Sequence, residues 1–213
     1  MRLFNACNAM TIYLIRHGET EMNVARVLQP ASTPLSARGL EQARLLAQRM
    51  RGCELVGIVS SHLPRALQTA HEMELACGLP TQLSELLQER NFGDLRGLPY
   101  DDLSFNPMLM SDAPTGGESA VEFSSRVAQA FRFIVELRAS MTGPLAVVTH
   151  GMVIREMLLM QVTTATGFSA PSHLGNTSVS AVEVELPHRL KLLNCTVHLT
   201  AANSANRDSL SGG

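Results

Sequence analysis

The stretch Tyr13–Asn23, YLIRHGETEMN, begins as an apolar, strand-like run and stops abruptly at Arg16, His17 and Gly18. The same construction recurs in LAVVTHG, 145–151, where His150 and Gly151 close a second apolar run. In α/β sheets ligands bind beyond the carboxyl ends of the strands, near helix N-termini. That rule places His17 and His150, two of the seven histidines, at such an edge. Gly18 and Gly151 would let the backbone turn sharply there and bring amides close to an anion.

Working outward, TIYLI (11–15), LVGIVS (55–60) and LAVVT (145–149) are short runs rich in branched residues. This is the pattern of strands buried on both faces of a parallel sheet. Helical signals lie between them. Residues 37–51 place Leu40, Ala43, Ala47 and Met50 on one face, and residues 64–77 open with Pro64 and stop at Gly78. Residues 119–141 begin with a Ser119/Glu122 capping box and carry Val127, Phe131, Ile134 and Met141 as a core stripe. VSAVEVEL (179–186) and RLKLLNCTVHL (189–199) read as an antiparallel pair at the far end of the sheet. The expected fold class is therefore α/β, a three-layer α/β/α sandwich with a mostly parallel central sheet. Residues 10–200 form the domain, 1–9 read as an N-terminal extension, and the small, polar residues 201–213 read as a flexible tail.

Composition limits the function. A chain of 213 residues, 45% hydrophobic, can bury a core as one domain, hiding roughly 70% of its unfolded surface. A net charge of −2 and a pI near 6.4 give no global basic field, so no nucleic-acid partner is expected. Cys7, Cys53, Cys77 and Cys195 are far apart, without a CxxC pair or metal-like spacing, which suits free thiols in a reducing compartment. No segment approaches the roughly 18 apolar residues of a membrane span. MRLFNACNAM is too short and too polar for a signal peptide. A cytoplasmic protein with no membrane partner is expected.

A third strand end adds to the anion site. LVGIVSSHLPRALQTA puts Arg65 in the first turn of a helix, aiming a guanidinium fork at the same edge. Arg16, Arg65, His17 and His150 would together surround a phosphate-sized dianion. Glu89, in LLQERNFGDLRG, is the candidate proton donor because it precedes a glycine-punctuated loop; Glu85 and Glu118 are nearby carboxyls that could reach the same space. His62, His71, His173, His188 and His198 read as structural or surface residues. Competing enzyme signatures fail on context: no GxSxG elbow follows a strand, GGES at 116–119 lacks the lysine and length of a Walker motif, and the first strand ends in RHGET rather than GxGxxG.

LIRHGET, PLSARGLEQA, SSHLPRALQTA, QERNFGDLRG, GGES, VVTHGMVIR and NTSVS, in that order, resemble the signature segments of the histidine phosphatase superfamily in its phosphoglycerate-mutase-like branch, over residues 10 to about 199. The resemblance implies that His17 is a nucleophile forming a phosphohistidine that water hydrolyses. It implies that Arg16, Arg65 and His150 bind the transferring phosphoryl group, that Asn23 and Gln29 add phosphate contacts, with Gly151 beside them, and that Glu89 is the general acid and base. No metal and no cofactor are implied. The chain departs from the family where Met22 replaces a usual tryptophan, Pro30 a usual glycine, Ser32 and Thr33 a segment with a usual aspartate, and His62 another aspartate.

Mutases of the family carry a long insertion between the proton donor and the second histidine. Here the lid is short, 91–118, so water can enter and hydrolysis is expected to dominate. Phe92, Leu98, Tyr100, Phe105 and Met108, with few basic groups beyond Arg90 and Arg96, suit a small phosphate monoester with an apolar or neutral body. A phosphoglycerate mutase-type phosphotransferase, a phosphoprotein phosphatase and a non-catalytic phosphate- or partner-binding member stay open as alternatives, and so does a homodimer.

Overall fold

The structure, a computed structural model, describes residues 10–164, 171, 173–200 and 203. The expected extension at 1–9 and nearly all of the tail at 201–213 lie outside the described residues. A six-stranded sheet runs in the order β3-β2-β4-β1-β5-β6. Four strands are parallel: β1 (Thr11–Arg16), β2 (Gly57–Ser60), β3 (Thr81–Leu83) and β4 (Leu145–Thr149). β5 (Val179–Glu183) runs antiparallel to β1, and β6 (Leu190–Cys195) runs antiparallel to β5, the pair that the sequence predicts.

The helices among the described residues are α1 (Glu21–Val24), a single turn, and α2 (Ala37–Met50), α3 (Pro64–Cys77), α4 (Ala120–Ala139) and α5 (Gly151–Met160), the last four of which flank the sheet. The strand alternation sorts them into two layers. Ile12 and Leu14 of β1 pack with Phe123, Val127, Phe131 and Ile134 of α4 and with Val153, Ile154 and Met157 of α5. Tyr13 and Ile15 point the other way, onto Leu46, Ala47 and Met50 of α2 and Ala66, Ala70 and Met73 of α3. The three-layer α/β/α sandwich follows.

Three details differ from the sequence reading. α2 buries Leu46 fully while Leu40 stays half-buried. α4 ends at Ala139, so Met141 packs from beyond the helix. β3 is an extra edge strand, three residues long and too polar to carry a strand signal.

Topology places the site. β1 and β4 are neighbours, with Arg16 opposite Thr149. The chain leaving β1 goes to α2 in one layer, while the chain leaving β4 enters α5 in the other. This divergence opens a crevice beyond the two strand ends, and the residues that follow the strands are His17 and His150.

Candidate active site

Extension of the β1–β4 ladder holds the two histidines side by side. The His17 amide donates to Thr149 O at 3.0 Å, and the ring centroids lie 5.2 Å apart at a tilt of 58°. His17 is fully buried; its Nδ1 lies 2.7 Å from Gly18 O, while Nε2 has no hydrogen-bond partner among the described residues. Since a carbonyl oxygen can only accept, Nδ1 carries the proton and Nε2 the lone pair. Burial, then the Arg65 and Arg16 charges, hold this ring well below its usual pKa, so it stays neutral.

The loop after His17 is fixed from several sides. Glu19 N donates to Gln42 Oε1 at 2.8 Å, and Ser36 N donates to Glu19 O at 2.9 Å. The start of α2 comes so close that a Cβ on Gly39 would sit 2.0 Å from Glu19 O. Asn176 Nδ2 donates to His17 O at 3.2 Å and to Asn23 Oδ1 at 3.3 Å. Thr20 Oγ1 accepts from Asn23 N and donates to Gln29 Oε1 at 2.9 Å. Asn23 and Gln29 are thus buried together beside the histidines, each with its side-chain oxygen engaged in the loop.

The two arginines are sealed in. Arg16 is fully buried and donates to Leu174 O, and Arg65, 1% exposed, reaches Pro30 O at 3.4 Å. Arg65 Nε has no hydrogen-bond partner among the described residues. Burial lowers both guanidinium pKa values to about 10, with Glu89 as the largest opposing influence on each. Both remain charged near neutral pH.

Glu89 is 2% exposed. Its Oε1 accepts from Arg90 N at 3.0 Å and its Oε2 from Met152 N, in the first turn of α5, at 3.2 Å. Burial outweighs these two bonds and the Arg65 and Arg126 charges, so its pKa rises above the usual carboxylic range. The rival carboxyls are otherwise placed. Glu85 is exposed, and Glu118 makes a two-pronged ion pair with Arg126 at 2.7 and 2.8 Å. Arg126 also donates to Leu86 O and Gln88 O, both at 2.8 Å, and so braces the segment carrying Glu89.

Gly151 opens α5, where first-turn amides lack intrahelical acceptors. The expectation for Gly18 needs correction: its amide donates to Thr69 Oγ1 at 3.0 Å and does not face an anion. Gly18 is needed for close packing instead, since a Cβ there would lie 2.6 Å from Gly39 O.

A cleft of about 660 Å³ runs from Gly151 and Met152 along the lid residues Tyr100, Phe105, Met108 and Leu109 to Leu174 and Pro171. Of the residues expected to contact the substrate body, Phe92 is buried and Leu98 does not line the cleft, whereas Tyr100, Phe105 and Met108 do. Arg90 is tied to Glu118 O and Met110 O, so it holds the lid rather than facing the cleft. The cations at the cleft are Arg26 and Arg155, which sequence reasoning missed; Arg26 pairs with Asp101 at 3.3 Å. Sequence reasoning also missed Thr69 and Ser61, which lie on a motif segment, and Arg126 of α4; none carries a distinguishing local signal.

Among the described residues no three His, Cys, Asp or Glu side chains gather as a metal site, and no helix is long and apolar enough to cross a membrane. His198 is held by Arg49 and Thr177, each at 3.0 Å, and burial lowers its pKa to about 4, which fits a structural role.

Comparison with known proteins gives the family and the fold. Residues 12–196 match the family described as the histidine phosphatase superfamily (branch 1). A probable phosphoglycerate mutase, GpmB, of Yersinia pestis is 33% identical over 198 residues, covering 88% of this chain and 83% of the relative. A phosphoserine phosphatase of Entamoeba histolytica, solved with phosphoserine, is 26% identical with a TM-score of 0.74, covering 89% of this chain and 98% of that one. A mycobacterial glucosyl-3-phosphoglycerate phosphatase, solved with VO3, is 26% identical with a TM-score of 0.71, covering 86% and 97%.

Proposed function

The chain belongs to the histidine phosphatase superfamily, branch 1, and from that premise we propose that it is a metal-independent phosphatase acting on a small phosphate monoester through a phosphohistidine. The observation that carries the proposal is the His17 ring. Its Nδ1 proton is pinned on Gly18 O, and its Nε2 lone pair is buried and uncommitted beside Arg16, Arg65 and His150.

His17 Nε2 attacks phosphorus, forming the N–P bond as the P–O ester bond breaks. Glu89 gives its proton to the departing ester oxygen, so the alcohol leaves neutral. The positive charge that develops on the ring is held by the Nδ1–H bond to Gly18 O. Arg16, Arg65 and His150 hold the non-bridging oxygens, where most catalysis of phosphoryl transfer arises. Water then attacks phosphorus, the N–P bond breaks, and Glu89 takes back a proton. Asn23, Gln29 and the Gly151 amide complete the phosphate cradle.

The cleft supports hydrolysis over transfer between substrates. It is lined by a short lid of 3₁₀ turns and reaches Gly151 and Met152 at the start of α5, with His17, Arg65, Glu89 and His150 buried behind that lining, and we take it as the path for substrate and water. Its apolar walls suit a compact organic body, and Arg26 and Arg155 add positive charge that an acidic group could use. The relative named a phosphoglycerate mutase favours a second reading, phosphotransfer, and one assay separates the two. Purified protein is offered a panel of neutral and acidic phosphate monoesters, including phosphoserine and 3-phosphoglycerate, with and without EDTA. Release of inorganic phosphate that is insensitive to EDTA, with an acid-labile, alkali-stable phosphoenzyme lost in His17→Ala, is the expected result. Interconversion of phosphoglycerates without phosphate release would establish the mutase. Restoration of an EDTA-lost activity by Mg²⁺ or Zn²⁺ would refute the mechanism.

A further inference from the structure

We infer that Ser61 is a positioning residue that locks His150 as the neutral Nδ1–H tautomer, so that this ring donates a hydrogen bond to the phosphoryl group. The role at the phosphoryl group rests on the reading above; the tautomer does not.

Ser61 stands between β2 and α3, four residues before Arg65, and is fully buried. Its amide donates to Val148 O at 3.0 Å, which ties it to β4, the strand that delivers His150. Its Oγ lies 2.9 Å from His150 Nε2 and accepts from Leu63 N at 3.3 Å. A hydroxyl has one proton to donate. The nearby Ser61 carbonyl already accepts from Ser60 Oγ at 2.9 Å, which leaves Nε2 as the acceptor placed for the Ser61 proton. Nε2 then holds a lone pair, and the ring proton sits on Nδ1.

The other side of the ring agrees. His150 Nδ1 is buried without a hydrogen-bond partner among the described residues, and His150 caps α5 without a side-chain bond to it. A buried N–H left unsatisfied is costly, and a ligand oxygen would remove that cost. The opposite tautomer would turn an Nδ1 lone pair towards an anion and repel it. A doubly protonated ring is opposed by burial and by Arg65, His17, Arg16 and Arg126, which together hold the His150 pKa well below its usual value.

The two histidines are therefore complementary. Each is neutral with its proton on Nδ1, but backbone anchorage at Nδ1 leaves His17 a nucleophile, while hydroxyl anchorage at Nε2 leaves His150 a donor. The serine hydroxyl makes that difference.

The test is ¹⁵N NMR of the full chain with labelled histidine, free and with orthovanadate. For His150, Nε2 is expected to be pyridine-like and Nδ1 pyrrole-like in both states, with Nδ1 shifting when vanadate binds. Pyrrole-like Nε2, alone or with Nδ1, would overturn the inference. Ser61→Ala is expected to mix the His150 tautomers and to lower kcat about 10- to 100-fold, the size of one hydrogen bond to a charged group. KM should change less, and Ser61→Thr should restore most of the rate. A Ser61→Ala protein that folds and keeps the wild-type tautomer and kcat also refutes it. If that variant does not fold, the wild-type spectrum decides alone. A protein with the expected tautomer and no hydrolysis of any monoester would sink the phosphatase and leave the Ser61–His150 assignment standing.

Discussion

Replacing Glu89 by glutamine removes one ionisable proton and almost no volume. The carboxyl is buried and both its oxygens accept backbone N–H groups, from Arg90 at 3.0 Å and Met152 at 3.2 Å. An amide can satisfy one of these donors and must turn its NH₂ towards the other, so the folded state should lose about 1–3 kcal/mol. The chemical loss is larger and selective. General acid assistance is typically worth about 10² to 10⁴ in rate, or about 3 to 5 kcal/mol of barrier. An alkyl phosphate expels an alkoxide that needs that proton; a nitrophenyl phosphate leaves largely unaided. Rapid-quench measurement of phosphoenzyme formation should therefore show a large slowing with alkyl and a small one with nitrophenyl substrates. Steady-state rates mix in the second step, where on the proposed mechanism Glu89 would also activate water. The pH dependence has a definite sign. Burial raises the Glu89 pKa, so the acid form persists above the usual carboxylic range, and alkyl kcat/KM should fall as pH rises through the raised value. Glu89→Gln should lack that descending limb. Equal slowing of both substrates, or a limb that survives the substitution, would refute the reasoning, and it could not readily be transferred to Glu118, which Arg126 already holds.

Two further outcomes follow from the site's charges. His17 and His150 are both held below their usual value of 6.5, so their contribution to stability is full above that pH and is lost as pH falls below it, whereas Glu89, held above its usual value, shifts stability the opposite way; in a Glu89→Gln background, which removes that opposing titration, the urea midpoint should fall between pH 6 and 5, and an unchanged midpoint would contradict their buried neutral state. Arg65→Met should leave the ligand-free protein as stable or more so in thermal melts, because a poorly bonded buried charge is removed, yet should abolish the roughly 2.7 kcal/mol of stabilisation that vanadate at a hundred times its Kd gives the wild type; a melt still raised by vanadate would remove Arg65 from the cradle.

Much of the fold was legible because β1 and β4 are buried on both faces and are apolar without interruption, and because Ser119/Glu122 and Pro64/Gly78 punctuate their helices in ways that local sterics require. β3 was not legible, since TQL owes its strand geometry to pairing with β2 and not to its own residues. The histidines and arginines at the strand ends could be read because a charge closing an apolar run is conspicuous. Ser61, Thr69 and Arg126 could not, because a serine, a threonine and a helix arginine look alike whether they face solvent or brace a buried loop. Gly18 was read as freeing an amide, but the amide is taken by Thr69, and what the site needs is the missing Cβ.

The charges of the site explain why these residues are assembled despite their cost to folding. Arg16 and Arg65 are buried cations whose pKa values, near 10, leave both charged near neutral pH. Burial keeps Glu89 disposed to its neutral form and both histidines neutral. The interior therefore brings two guanidinium charges to one place, with Glu89 and Glu19 the carboxyl groups that act on Arg16, although the whole chain carries a net −2. Burying such charge is unfavourable unless a partner arrives, and a phosphoryl dianion supplies equal and opposite charge. At about 4 Å and an effective dielectric constant near 20, each unit pair is worth about 4 kcal/mol. In the proposed reaction, charge would move onto the leaving oxygen as the ester bond breaks, Glu89 would meet it with a proton, and the guanidinium groups and the His150 donor would stay on the phosphoryl oxygens. On the proposed reading, binding and chemistry draw on the same two charges: the guanidinium groups whose burial costs folding energy are the ones that would hold the group being transferred.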